Sequence, residues 1–248
     1  RYARVTGVQT CALPICCCGP VCHCGPDCKC GPNCKCGPCC PCHVARIGFK
    51  APNFVGQAVD PETREFVEVS LDQFRGKWLV LFSYPLDFTF VCPTEIIQFS
   101  EHYNEFKEIN CEVLGMSVDS VFTHNAWMDV PRKDGGLGQI NYKLIGDLGS
   151  KISKMFGFYM PEAGHALRGT AIIDPDGIVR HLSMNHPDVG RNIEEVLRLV
   201  KGYQFAAKHG EVCPANWHEG SATIKPTIKE SKEFFSKQIG RASCRERV

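Results

Sequence analysis

The segment Pro85-Leu86-Asp87-Phe88-Thr89-Phe90-Val91-Cys92-Pro93-Thr94-Glu95 places a thiol where backbone chemistry can activate it. It lies between a short apolar run, Trp78–Tyr84, and a helical pattern in which Ile96, Phe99, Tyr103 and Phe106 recur at three- and four-residue spacing. Pro93 suits a first helical turn, where a missing N–H costs nothing. Cys92 therefore stands at a helix N-terminus. Unpaired N–H groups and the helix dipole favour the thiolate there, and the thiolate is the reactive form of cysteine. Thr89 comes three residues earlier and can offer a hydroxyl in a turn. Pro85 and Pro93 bracket a loop able to shield the sulfur from water. The competing reading is a buried, inert cysteine at a strand–helix junction.

Cysteine usage is uneven. Of 17 cysteines, twelve lie between Cys16 and Cys42, and the others are Cys11, Cys92, Cys111, Cys213 and Cys244. A disulfide-stapled secreted domain would spread its cysteines through the fold. The stretch from Ala45 to Lys237 holds three, which points to a reducing compartment and a cytoplasmic location. Cys111, at a strand start, reads as a packed thiol.

Residues 16–43 form an arm whose unit, Cys-Gly-Pro-x-Cys-x, repeats with a period of six. The arm has almost no apolar side chain and cannot bury a core of its own. Repeated Cys-x-Cys and Cys-x₃-Cys spacing suits thiolate ligation of Zn²⁺ or Cu⁺, with Cys18, Cys22, Cys24, Cys28, Cys30, Cys34 and Cys36 as candidate ligands. His23 and His43 are optional additions. A sacrificial thiol or disulfide arm and a low-complexity extension or assembly error are the alternatives. Residues 1–15, which include the string VTGVQTCALPI, and residues 239–248, IGRASCRERV, resemble translated sequencing-adapter DNA. They are set aside from fold reasoning, with the true termini expected to be missing.

Residues 44–238 carry the globular pattern. Trp78–Tyr84 and Val113–Val118 suit buried strands, and Ser120 opens a helix through Ala126 and Trp127. Gly135-Gly136-Leu137-Gly138 reads as a flexible turn. Thr170–Ile173 and Ile178–Leu182 flank Asp174-Pro175-Asp176-Gly177, a hairpin signal. Ile193, Val196, Leu197, Val200 and Tyr203 form a helix stripe, and a last helical piece falls near Ser231–Ser236. Strands alternating with helices imply an α/β sandwich around a mixed sheet. A net charge of +1 gives no electrostatic reason for nucleic acid or an acidic membrane surface. No apolar run approaches the ~20 residues a bilayer requires.

Pro85-x-x-x-Thr89-x-x-Cys92 resembles the active-site signature of the peroxiredoxins. The longer string DFTFVCPTE is closest to their typical two-cysteine group, the alkyl hydroperoxide reductase C / thiol-specific antioxidant family. The resemblance runs from about Arg46 to Gln238. It includes Ser117-Val118-Asp119-Ser120, Trp127, Gly135–Gly138, Arg168-Gly169-Thr170 and Val212-Cys213-Pro214. It implies a thioredoxin-like fold with a C-terminal extension from about residue 205, and a thiol peroxidase that needs no cofactor for catalysis. Cys92 would be the peroxide-attacking cysteine and Arg168 the cation beside it. Thr89 would hydrogen-bond thiolate and peroxide, Pro85 would shape the pocket, and Glu95 would orient Arg168. Cys213 would be the resolving cysteine, supplied by the partner of an antiparallel homodimer within a ring of five dimers. A thioredoxin-like dithiol would be the reductant. The glycine-rich turn, and Phe234-Phe235 in place of the family's Tyr-Phe, imply moderate sensitivity to overoxidation. The rival functions are a holdase chaperone and metal–thiolate storage through the arm.

Overall fold

The computed structural model describes residues 44–238; the arm and both terminal segments lie outside them. Seven strands form one mixed sheet in the order β2 (Phe66–Ser70), β1 (Val55–Val59), β5 (Leu144–Gly146), β4 (Cys111–Ser117), β3 (Trp78–Ser83), β8 (Arg168–Ile173), β9 (Val179–Asn185). β3, β4 and β5 run parallel to one another, and the remaining pairings are antiparallel. A short separate hairpin joins β6 (Tyr159–Met160) to β7 (His165–Ala166).

β3 is buried along its whole length because both faces of the sheet are covered. Its side chains alternate between two cores. Trp78, Val80 and Phe82 join Ile96, Phe99, Trp127, Val196 and Val200 on one face. Leu79 and Leu81 join Leu114, Ile145, Phe156 and Ile173 on the other. The first face is covered by α1 (Cys92–Glu101), α2 (Tyr103–Glu108), α3 (Val121–Asp129) and α5 (Ile193–His209). α4 (Lys151–Met155) packs on the second, and α6 (Ser231–Gln238) closes the described chain.

The helical run predicted from Ile96 to Phe106 is split at His102 into α1 and α2. Its apolar stripe survives the break, with Ile96, Phe99 and Phe106 all buried. The predicted helix start at Ser120 is present: its hydroxyl accepts from Thr123 N at 3.2 Å, a satisfied N-cap. The turn at Gly135–Gly138 is not the loose connection the glycines suggested. Trp127 Nε1 donates to Gly135 O at 2.9 Å, Leu137 is fully buried, and a Cβ on Gly136 would meet Val130 O at 1.9 Å. The glycines there permit close packing.

In the β3–β8 register Phe82 stands opposite Thr170. Arg168, the first residue of β8, therefore emerges beside the end of β3, where the loop to α1 departs. The adjoining ends of β3 and β8, inside the sheet, thus deliver the cation and the thiol to one place.

Candidate active site

Cys92 is the first residue of α1, with Pro93 next, and only 1% of it is exposed. Its Sγ lies 3.4 Å from Arg168 Nη1. The same guanidinium donates to Glu95 Oε2 at 2.7 Å, and its other nitrogens donate to Pro187 O at 2.8 and 2.6 Å. Arg168 is therefore held beside the sulfur by three hydrogen bonds to two partners, Glu95 and Pro187. Glu95, one turn along α1, is buried and accepts the Nη1 hydrogen bond, so the structure brings it together with Arg168.

Arg191, which sequence reasoning missed, completes the cluster. Its backbone N and Nε donate to Glu95 Oε1 at 2.8 and 2.9 Å, and Nη2 donates to Oε2 at 3.0 Å. Its Nη1 donates to Ser83 O and Gly169 O, which pins it to the ends of β3 and β8. The guanidinium lies over the Phe82 ring, 4.9 Å from the centroid. Desolvation pulls its pKa down, opposed by the Glu95 carboxylate. The buried cluster thus holds one carboxylate and two guanidiniums, a surplus of one positive charge facing Cys92. The only sequence signal was an arginine flanked by Gly190 and Asn192 just before a helix stripe, which reads equally well as a surface cation.

The loop between β3 and α1 is also held from below. Pro85 is buried against the fold. Tyr84 Oη donates to Asp87 Oδ1 at 2.8 Å, and His124 Nδ1 meets Asp87 Oδ2 at 2.6 Å. His124 Nε2 faces Ile145 O at 3.1 Å, so that nitrogen carries a proton. Burial pushes the Asp87 carboxyl up. Asp87 N donates to Asp119 Oδ2, which also accepts from Ser117 Oγ. The Ser117–Ser120 string therefore serves as a loop anchor. Phe88 adopts φ 54°, a left-handed conformation that is strained for a bulky side chain. Thr89 Oγ1 donates to Leu86 O at 2.8 Å, so its proton is committed within the loop and not to Cys92. Its lone pairs remain available to a donor.

Cys213 lies beyond α5, half-buried, with its thiol directed at Gly202 O at 3.6 Å. Burial raises its pKa, partly offset by Arg198. Both Cys92 and Cys213 are free thiols in the single chain. Cys111 is equally free and fully buried; desolvation and the Glu112 carboxylate push its thiol far up. Among the described residues no group of three or more His, Cys, Asp or Glu side chains is placed to hold a metal ion. The candidate metal-binding cysteines Cys18 to Cys36 lie outside the described residues.

A buried thiol paired with a clamped guanidinium at a helix start, in a thioredoxin-like fold, defines a class, and comparison with known proteins agrees. The AhpC/TSA family model matches residues 47–182, and the model for the C-terminal domain of 1-Cys peroxiredoxin matches residues 202–237. The chain belongs to the AhpC/TSA family. It is 56% identical over 195 residues to the mitochondrial thioredoxin-dependent peroxide reductase of Rattus norvegicus, covering 79% of this chain and 75% of that protein. It is 52% identical over 193 residues to peroxiredoxin-2 of the same species, covering 78% and 96%. The reduced 2-Cys peroxiredoxin of Plasmodium vivax superposes with a TM-score of 0.75 at 42% identity, covering 77% and 98%. The chain is a typical two-cysteine peroxiredoxin, a thiol-dependent peroxidase. The cytoplasmic expectation is corrected by such relatives: the mammalian and fly thioredoxin-dependent peroxide reductases that match the chain at 55–56% identity are named as mitochondrial. Three thiols in a body of this size mark a reducing environment, which the cytoplasm shares with other compartments.

Proposed function

We propose that Cys92 is the peroxidatic cysteine and Cys213 of a second copy the resolving one. The Cys92 thiolate attacks one peroxide oxygen, the O–O bond breaks, and the leaving oxygen departs as water or an alcohol after taking a proton. The sulfur is left as sulfenic acid. Arg168 stabilises charge on sulfur and on the leaving oxygen, while Thr89 and Pro85 shape the approach. The Cys213 thiol then attacks the sulfenic sulfur, releasing water and forming an intersubunit disulfide. A thioredoxin-type dithiol reduces that disulfide by exchange, so the cycle runs on thiols alone. The observation that carries this reading is the 3.4 Å contact of Cys92 Sγ with an arginine that Glu95 and Pro187 hold in place.

Assembly into homodimers, and of five dimers into a ring, is supported by two surfaces. β9 is an edge strand with a neighbour on one side only. Phe122, 69% exposed, stacks edge-on with Phe66 at 4.9 Å, a pair of aromatics that a partner would cover. A mitochondrial location follows the relatives' names.

Stopped-flow peroxide consumption with thioredoxin and its reductase tests the cycle. Wild type should turn over repeatedly. Cys213→Ser should react once and stall, and peroxide-treated wild type should run as a disulfide-linked dimer. Sustained turnover of Cys213→Ser would remove Cys213 from the mechanism. Sulfinic acid on Cys92 should accumulate at millimolar peroxide while the reductant cycles; its absence in intact-mass spectra would refute moderate overoxidation sensitivity.

A further inference from the structure

Cys92 has an arginine held beside it, and the segment that carries Cys213 is tied down by another. We propose that Arg198 is a positioning residue for the resolving half of the cycle: it braces that segment against α5 and holds a positive charge toward the Cys213 thiol. The inference rests on the reading of Cys213 as the resolving cysteine.

The segment from Glu211 to Ile224 is a closed loop laid on α5. Val212 and Ile224 exchange backbone hydrogen bonds at 2.9 and 3.0 Å, and Thr223 Oγ1 donates to the Glu211 carboxylate. Trp217 anchors the loop. It is 2% exposed, its ring lies against Gly202, and its centroid is 5.2 Å from that of Phe205. The Cys213 thiol is directed at Gly202 O, so thiol and indole meet the helix at one residue. Arg198 stands one turn before Gly202 on the same face of α5. Its Nη1 donates to Trp217 O at 2.8 Å. Its Nε and Nη2 donate to the two oxygens of Glu195, the latter at 2.7 Å. One guanidinium thus ties the loop to the helix while a carboxylate fixes its plane. The Arg198 side chain is 22% exposed, which limits screening of its charge by water.

Burial raises the Cys213 pKa, and Arg198 opposes that rise. The other charges nearby are engaged elsewhere. Lys201 of α5 pairs with Glu219 of the loop at 3.4 Å, and Glu195 interacts with His181 of β9 and His218 of the loop as well as with Arg198. In the resolving step the Cys213 proton passes to solvent and the thiolate attacks the sulfenic sulfur. The S–S bond forms as the S–O bond breaks, and the oxygen leaves as hydroxide, which takes a proton to become water. Lowering a thiol's pKa by one unit raises its thiolate fraction about tenfold below that pKa. Nucleophilicity falls about threefold, so the net gain in rate is about threefold.

The test has two readouts. Iodoacetamide alkylation of the Cys213 peptide is followed against pH by mass spectrometry in the full-length Cys92→Ser chain. Disulfide formation after one equivalent of peroxide is followed by rapid quench in the chain that retains Cys92. Arg198→Gln should move the alkylation midpoint up by about one pH unit and slow disulfide formation about threefold at pH 7. Oxidation of Cys92 should stay within about twofold of the parent, since that step does not use Arg198. Arg198→Lys keeps the charge and should stay near the parent. Glu195→Gln removes the counter-charge and should move the midpoint down. An unmoved midpoint in Arg198→Gln, or an upward shift in Glu195→Gln, overturns the proposal. Equal slowing by Gln and Lys at every pH also overturns it, because a purely structural tie behaves that way. Sustained turnover of Cys213→Ser would withdraw the resolving role from both residues, and the alkylation profiles would still show whether Arg198 sets the acidity of Cys213.

Discussion

Cys92 and Cys111 are equally hidden, each 1% exposed, and both belong to the same core. Each begins an element, Cys92 a helix and Cys111 a strand. Their neighbours differ. Cys92 faces a guanidinium at 3.4 Å; Cys111 faces the carbonyl of Glu112 at 3.6 Å, with that residue's carboxylate nearby. A carbonyl and a carboxylate penalise negative sulfur, whereas a clamped cation welcomes it. Burial alone therefore says nothing about reactivity. The charge beside the sulfur decides it.

The sharpest way to break this contrast is to delete each thiol. Cys92→Ser should cut peroxide turnover by more than about 10³-fold, with Cys111→Ser close to wild type. Comparable losses in the coupled assay would mean that the two thiols are not distinguished by charge. Next is the cation itself. Arg168→Met should lower the second-order rate with peroxide by about 10²–10³-fold, the scale seen when one preorganised donor is removed. A loss under tenfold in stopped-flow would demote Arg168 to a structural residue. Third is the carboxylate that holds both arginines. Glu95→Gln leaves two buried guanidiniums without their counter-charge and should cost about 3–5 kcal/mol in urea unfolding. Glu101→Gln, which removes the partner of exposed Arg132, should cost under about 1 kcal/mol. Equal costs would show that the Glu95 cluster is solvated.

The smallest effect concerns pH. Burial and Glu112 raise the folded-state pKa of Cys111 above its ordinary value of 9.0. The unfolded chain then releases that proton first, so its contribution to stability is intact below the ordinary value and lost as pH rises past it. Unfolding free energy should fall on the alkaline side, and Cys111→Ala should flatten that limb. An unchanged limb would place the titration elsewhere.

Much of this site was legible because its residues are neighbours in sequence. Pro85, Thr89, Cys92 and Glu95 fall within one loop and one helical turn, and Arg168 stands beside a glycine and threonine in a matched string. Arg191 was not legible, because its role depends on Glu95, 96 residues away, and a lone arginine before a helix reads as solvent-exposed. The Tyr84–Asp87–His124 anchor escaped for the same reason: His124 meets Asp87 across 37 residues. The strands of high apolar content, β3, β4 and β8, declared themselves. The β1–β2 hairpin did not, since Val55 and Phe66 point partly to solvent and blur the period-two pattern. The glycine-rich turn was misread as flexible because sequence shows which residues lack a Cβ, not what packs against the gap.

The surplus positive charge around Glu95 also bears on timing. A thiolate at Cys92 brings that buried cluster to electrical neutrality; a sulfenic acid does not. Oxidation therefore leaves a lone positive charge in a desolvated pocket, the costly condition for a protein interior. In the proposed cycle, the first turn of α1 loses this support at the step where the sulfur meets Cys213. On that cycle oxidation loosens the latch over the sulfur, and amide hydrogen exchange at Cys92, Thr94 and Glu95 should speed up when peroxide is added to Cys213→Ser.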